Sequence, residues 1–305
     1  MRIFTVIALS LVMCCTAIAD GAPGAPDVYF LNETAILAGA TPSRDVSAKT
    51  LSSQTINTSI RNLVIIAAGQ SNFGNTAPDA YTPAHPSQID NLNPYDDGIY
   101  HAIDPLVGCG AVWPYPSVGG HAALILADAL IGANLFDRVI IEPVSVNGTA
   151  IAQWATGSLA ARIPVALKRL TQRGIVSGPN VTIVILWGQG ETDQVIGTSQ
   201  VAYMAAFATL YANVAAAGFT GKWFVAEQTY FEGAASPAIE AAQASVVDNA
   251  HVFHGANADA LINNMCGGSA CRFTGDHFTD AGVLSYATDP AYGWLAALEA
   301  SGAPF

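Results

Sequence analysis

The chain has 305 residues, 51% of them hydrophobic and only 11% charged, which is enough apolar material for a large core in one or two domains. Its formal net charge of −12 at pH 7 argues against nucleic acid and anionic membrane surfaces as partners. With so few charges, most of the polarity comes from Ser, Thr, Asn, Gln and Gly.

In chain order, "MRIFTVIALSLVMCCTAIAD" places one Arg before an apolar run, then the small-x-small step Ala17-Ile18-Ala19. Residues 1–19 therefore read as a secretory signal peptide, because the run is too short to span a bilayer and lacks a basic flank. Residues 20–60 are rich in Ala, Thr and Ser with weak periodicity, and read as an N-terminal extension. From residue 62 the rhythm changes. "NLVIIAA" (62–68) is an unbroken apolar run, the pattern of a strand covered on both faces. Residues 76–116 form a long stretch rich in Pro, Tyr and Asn, either lining a substrate groove or forming a surface insertion. Apolar spacing then predicts a helix at 121–135, a strand at 137–146 and a helix at 158–174 that contains Pro164 and closes at Gly174. A strand at 180–187, a helix at 201–218, a strand at 222–230 and a helix at 235–249 follow, then a short strand at 250–255 and a broken helix at 280–301. Alternating strands and helices predict an α/β fold with a central parallel sheet of about five strands, in one domain over 61–305.

Five cysteines occur, and three remain beyond the signal peptide. "CGGSAC" puts four residues, including two glycines, between Cys266 and Cys271, and in an oxidising compartment this pair is expected to form a disulfide. Cys109 is then a buried thiol. C-x4-C with no second pair is weak for zinc.

The strand at 62–68 stops at Gly69 and is followed by Gln70-Ser71-Asn72. Ligands of parallel sheets sit outside the carboxyl ends of the strands, so Ser71 is placed to act as a nucleophile; the competing role is an ordinary helix cap. Two other strand ends add donors. Gly148 in "VNGTAI" can offer a backbone N–H, and Gln189 in "WGQGETD" a side-chain amide. Together with the Ser71 N–H they would form an oxyanion hole. His277, in "CRFTGDHFTDAG", precedes the last helix and is the best of six histidines to accept the Ser71 proton. His85, His101 and His121 belong to or adjoin the long stretch, and His251 and His254 flank a short strand.

Together these motifs resemble the SGNH (GDSL-like) hydrolase superfamily, in particular its sialate O-acetylesterase-like carbohydrate esterase branch. "GQSN" (69–72) is similar to that branch's first block, "VNGTAI" (146–151) to the second, "WGQGETD" (187–193) to the third and "DHFTDAG" (276–282) to the final His block. The resemblance spans roughly residues 62 to 300. It implies a three-layer α/β/α sandwich of SGNH/flavodoxin-like type and a serine esterase acting through Ser71 and His277. The superfamily usually places an orienting Asp three residues before the His; Thr274 stands there, and Asp276 is adjacent to the ring. Either Asp276 or a backbone carbonyl orients His277, or the enzyme is impaired. Glu191 and Asp193 read as braces of the third block.

The activity implied is removal of a small acyl group, acetyl above all, from a carbohydrate by a secreted or periplasmic protein. No metal or organic cofactor, nucleic acid or membrane is implied. Trp113, Tyr115 and Trp154 are candidates to stack on a sugar, with ordinary packing as the alternative. The rival readings are a non-catalytic carbohydrate-binding protein on the same fold, an acyltransferase and a lipid esterase.

Overall fold

The computed structural model describes residues 29, 30, 32, 43–110, 119–273 and 275–302. The expected signal peptide lies outside them, as do Trp113, Tyr115 and Thr274.

The apolar run at 62–68 forms strand β1 (Asn62–Gly69), and its side chains alternate between two cores. Leu63, Ile65 and Ala67 point into one, and Val64, Ile66 and Ala68 into the other. Covering both faces explains why the run shows no polar alternation. Strands β2 (Ile89–Leu92), β3 (Ile99–His101), β4 (Arg138–Pro143), β5 (Val181–Gly188), β6 (Lys222–Glu227) and β7 (Val252–Asn257) complete one sheet, in the order β3-β2-β4-β1-β5-β6-β7. All neighbours pair in parallel except β2 and β3.

Helix α1 (Ala122–Gly132) covers the first face with α7 (Asp280–Thr288) and α8 (Trp294–Ala300). The second face is covered by α2 (Ile151–Ala155), α3 (Arg162–Gln172), α5 (Gln200–Ala216) and α6 (Pro237–Ser245). A short helix, α4 (Glu191–Ile196), follows β5. The result is an α/β fold with a mostly parallel sheet between helical layers. Pro164 does not break α3, because it sits in the first turn, where backbone N–H groups have no helical partner. Gly174 ends that helix in the left-handed conformation (φ +67°), and Ile175 N–H returns to Leu170 O at 2.8 Å.

The five expected strands all form, but the sheet has seven. The stretch 76–116 contains the two additional ones, so it is not devoid of regular structure. Strands β2 ("IDNL") and β3 ("IYH") are short, and β2 buries polar side chains. Asp90 accepts from Arg138 at 2.7 Å, and Asn91 exchanges bonds with Val107 N–H (2.7 Å) and O (3.0 Å). Part of the N-terminal extension covers the β3 edge. His101 N–H donates to Thr50 O, and Ser52 N–H to Ile99 O, both at 2.9 Å. This contact shields backbone groups that would otherwise template aggregation.

The five core strands, β4-β1-β5-β6-β7, run in the flavodoxin-like order 2-1-3-4-5. After β1 the chain enters the α1 layer, whereas after β5 it enters the α5 layer. The chains that leave the paired ends of β1 and β5 therefore run to opposite faces, which marks the topological switch point, the crevice where such folds bind ligands.

Among the buried charged side chains, Glu142 stands without hydrogen bonds. Glu142 on β4 is 0% exposed, and neither carboxylate oxygen has a hydrogen-bond partner among the described residues. Burial, reinforced by Asp97 and opposed by Arg169, pushes its pKa well above the ordinary glutamate value. A raised carboxyl pKa contributes stability that is full below the unfolded pKa and is lost as pH rises through the folded one. Glu142→Gln, neutral at every pH, is therefore expected to raise Tm over wild type by a few degrees, roughly 2–4 °C per kcal/mol, at pH 9. The gain should vanish towards pH 4. Melting curves across that range check it; a difference that does not vary with pH contradicts the assignment.

Candidate active site

The crevice is narrow because two strand ends touch. Gly69 has φ +136°, and a Cβ there would lie 1.9 Å from Gly188 O. Only glycine fits such an approach. Gln70 N–H then donates to Gly188 O at 2.9 Å, and the chain makes one 3-10 turn at Ser71–Phe73. Thr76 Oγ1 fixes this turn by donating to Ser71 O at 2.7 Å. Ser71 is 6% exposed. The turn's N-cap position is Gln70, so the Ser71 hydroxyl is not the cap it might have been by composition. Among the described residues that hydroxyl makes no hydrogen bond.

Asn72, the residue after Ser71, binds the segment that carries His277. Its Nδ2 donates to Glu191 Oε1 (2.8 Å) and to Asp276 O (2.9 Å), and its Oδ1 accepts from Phe278 N–H (3.2 Å). The residue after Ser71 thus grips the chain on both sides of His277. That segment is a narrow hairpin in which Arg272 bridges Phe278 and Phe273 N–H donates to His277 O at 3.0 Å. The Cys266–Cys271 disulfide is formed just before it, and Cys109 is a buried thiol. The Arg272 guanidinium packs over Phe278 (4.3 Å), donates to Leu261 O and Ala258 O, and makes a short bond to Asp276 O.

His277 is 4% exposed, and its Nδ1 lies 3.1 Å from Asp276 Oδ1. Adjacent residues rarely meet this way; the hairpin and the two donors on Asp276 O turn the carboxylate towards the ring. The other histidines serve elsewhere. His121 alone approaches the Ser71 turn, with its ring 5.7 Å from Phe73, but its Nδ1 accepts from Ala123 N–H and burial pushes its pKa down to about 3. His85, His101 and His251 pair with Asp128, Asp90 and Asp248, and His254 is an exposed residue of β7.

The second and third blocks are tied to the first. Val146 N–H donates to Gly69 O (2.9 Å), and Ser145 Oγ to Phe73 O (2.5 Å). Gly148 follows in a turn at φ +61° with open space on its Cβ side. The Gln189 amide nitrogen donates to Thr149 O (2.8 Å) and Asp193 Oδ2 (2.5 Å), with Gln70 Oε1 at 3.4 Å. Both of its hydrogens are therefore committed, and it reaches an oxyanion only by exchanging one of these bonds. Asp193 also accepts from Ile151 N–H (2.8 Å) and Thr198 Oγ1 (2.7 Å), so it braces the loop.

Glu191 is the hub of a buried polar chain. Its Oε1 accepts from Asn72 and from Gln228 Nε2 (2.9 Å), and Gln228 Oε1 accepts from Tyr286 OH (2.5 Å). Burial pushes its pKa up to about 7, against the opposing effect of the Asn72 bond. Trp154, a candidate to stack on sugar, is instead core. It is 0% exposed, its Nε1 donates to Thr149 Oγ1 at 3.0 Å, and its ring sits edge-on to Trp187. Among the described residues no group of three His, Cys, Asp or Glu side chains is arranged to hold a metal ion. The roles of Asn72, Arg272, Gln228 and Tyr286 escape sequence reasoning. Only Asn72 carries a local signal, its place beside Ser71.

Asn72→Asp keeps the shape but loses both donors, and turns a carboxylate towards Glu191 and Asp276 O. The expected stability loss is on the order of 2–4 kcal/mol. It should be larger at pH 8 than at pH 5, because Glu191 becomes charged as pH rises through about 7. Urea unfolding at the two pH values checks this; equal losses contradict it.

No protein family matches the chain, and no curated protein does. Solved structures do. A protein of Arabidopsis thaliana superposes with a TM-score of 0.57 at 19% identity, over 80% of this chain and 99% of that one. NanS gives 0.48 at 17% identity, over 75% of this chain and 94% of its own. A carbohydrate acetylesterase from Xanthomonas citri gives 0.47 at 15% identity, over 77% of this chain and 55% of its own. At these identities the likeness is one of fold.

Proposed function

We propose that the protein is a secreted serine esterase of SGNH type that removes small acyl groups, acetyl above all, from a carbohydrate. The observation that carries this reading is the Asn72 grip, which joins the residue after Ser71 to both flanks of His277 at the switch point. The 3.1 Å approach of Asp276 Oδ1 to His277 Nδ1 supports it, because a carboxylate there orients the imidazole as a triad acid would. The four sequence blocks point the same way.

In this mechanism His277 Nε2 takes the proton of the Ser71 hydroxyl as Oγ attacks the acyl carbonyl. The negative charge that develops on the carbonyl oxygen is held by the N–H groups of Ser71 and Gly148. Gln189 joins as third donor when it exchanges its bond to Thr149 O. His277 returns the proton to the departing sugar hydroxyl, leaving an acyl-enzyme. Water, deprotonated by the same ring, attacks the acyl carbonyl, and collapse releases the acid and restores Ser71. Catalytic hydrogen bonds often tighten only with substrate bound, so the solitary Ser71 hydroxyl is compatible with this role. No metal or cofactor is called for by these steps.

A secreted or periplasmic location fits the 1–19 leader expected from sequence and the Cys266–Cys271 disulfide. No helix among the described residues is long and apolar enough to cross a membrane.

The test is hydrolysis of p-nitrophenyl acetate. Ser71→Ala and His277→Ala are each expected to lower kcat by at least about 10³-fold. Rates equal to wild type would leave a binding protein instead. Asp276→Asn is expected to lower kcat by about 10²–10⁴-fold with little change in KM. An unchanged kcat would mean that a Ser-His dyad suffices. A series of acyl chain lengths should favour acetate; preference for long chains would indicate a lipid esterase.

A further inference from the structure

Asp193 lies in the first turn of α4 and is buried. A carboxylate at that place in a helix often turns back to the free N–H groups of its own first turn. Asp193 reaches other elements instead. Its Oδ2 accepts from Gln189 Nε2 (2.5 Å) and from Ile151 N–H (2.8 Å), and its Oδ1 accepts from Thr198 Oγ1 (2.7 Å). One oxygen therefore joins two segments of the candidate oxyanion hole. Gln189 is the side-chain donor of the third block, and Ile151 stands three residues after Gly148 in the second. The same segments meet again where Gln189 Nε2 donates to Thr149 O at 2.8 Å.

This arrangement fixes which end of the Gln189 amide faces the second block. Its nitrogen meets two acceptors, Thr149 O and Asp193 Oδ2, and turning the amide over would set its oxygen against both. Gln189 Oε1 is buried and has no hydrogen-bond partner among the described residues. A lone buried acceptor is unfavourable, so the amide holds this direction because a charge-assisted bond to Asp193 outweighs that cost. When an oxyanion takes the hydrogen now given to Thr149 O, Asp193 still keeps the other.

We propose that Asp193 is a positioning residue of the oxyanion hole, which sets the direction of the Gln189 amide and holds it against the segment that follows Gly148. It acts through Gln189 and Ile151 and does not touch the substrate. This rests on the esterase reading of Ser71, Gly148 and Gln189.

Two substitutions separate positioning from plain support. Asp193→Asn keeps an oxygen for Gln189 and Ile151, and its new amide nitrogen can donate to Thr198 Oγ1. Its kcat on p-nitrophenyl acetate should stay within about 3-fold of wild type. Asp193→Ala removes the acceptor, and kcat should fall by about 10²–10³-fold with KM within about 2-fold. Phenylboronic acid gives a second readout. Ser71 Oγ bonds to boron as its proton passes to His277, and the tetrahedral adduct sets an oxygen where the oxyanion develops. Its inhibition should weaken by at least about 10-fold in Asp193→Ala and be kept in Asp193→Asn. A residue that only supports the loop would lower Tm in Asp193→Ala and leave the kcat of the folded protein unchanged. That result, a loss carried by KM, or an Asn variant as impaired as the Ala one overturns the proposal. If Asp193→Ala does not fold, Asp193→Ser is read in its place. Hydrolysis that survives Ser71→Ala overturns the esterase reading, and this inference with it.

Discussion

The side chain of Asn72 holds the two ends of the candidate site together. One amide joins the turn after β1 to a hairpin 204 residues further on, and to Glu191 at the start of α4. Asparagine suits the position because it offers two donors and an acceptor on a short, stiff stem. A serine hydroxyl cannot reach both directions, and an aspartate cannot donate. This amide, Arg272 and the disulfide all hold the segment that carries His277.

Around that contact lies a polar network inside a protein that is otherwise poor in charge. Glu191, Gln228, Tyr286, Gln243 and Gln70 are all buried and interlocked. In a low-dielectric interior such a network fixes one arrangement, because any alternative leaves a polar atom without a partner. Glycines make room for it. A Cβ on Gly190 would meet Gln228 O at 2.1 Å, as one on Gly69 would meet Gly188 O. Close backbone approach and buried hydrogen bonding therefore support each other at the crevice.

The same physics separates Glu191 from Glu142. Both carboxyls are buried and both have raised pKa values. Glu191 receives two amide donors and links the site, whereas Glu142 receives none among the described residues. The first is a structural part of the crevice, and the second is a cost carried by the core beneath α3.

The periodicity of the chain determined much of this protein by itself. The run at 62–68, the helical spacing at 121–135 and the alternation of strands with helices are local properties that settle element type and the parallel sheet. The Cys266–Cys271 spacing allowed a bridge that the fold then formed. Strands β2 and β3 stayed hidden because they are short and their buried Asp90 and Asn91 read as loop residues until Arg138 and Val107 supply partners. Whether Trp154 stacks on sugar or packs was open in the sequence, because sequence carries no burial; the fold buries it. Whether Asp276 reaches His277, what Asn72 grips and how Gln189 spends its hydrogens were decided only by tertiary structure. Hydrogen-bond partners lie as far as 206 residues away, and their geometry exists only once the sheet has brought the strand ends together.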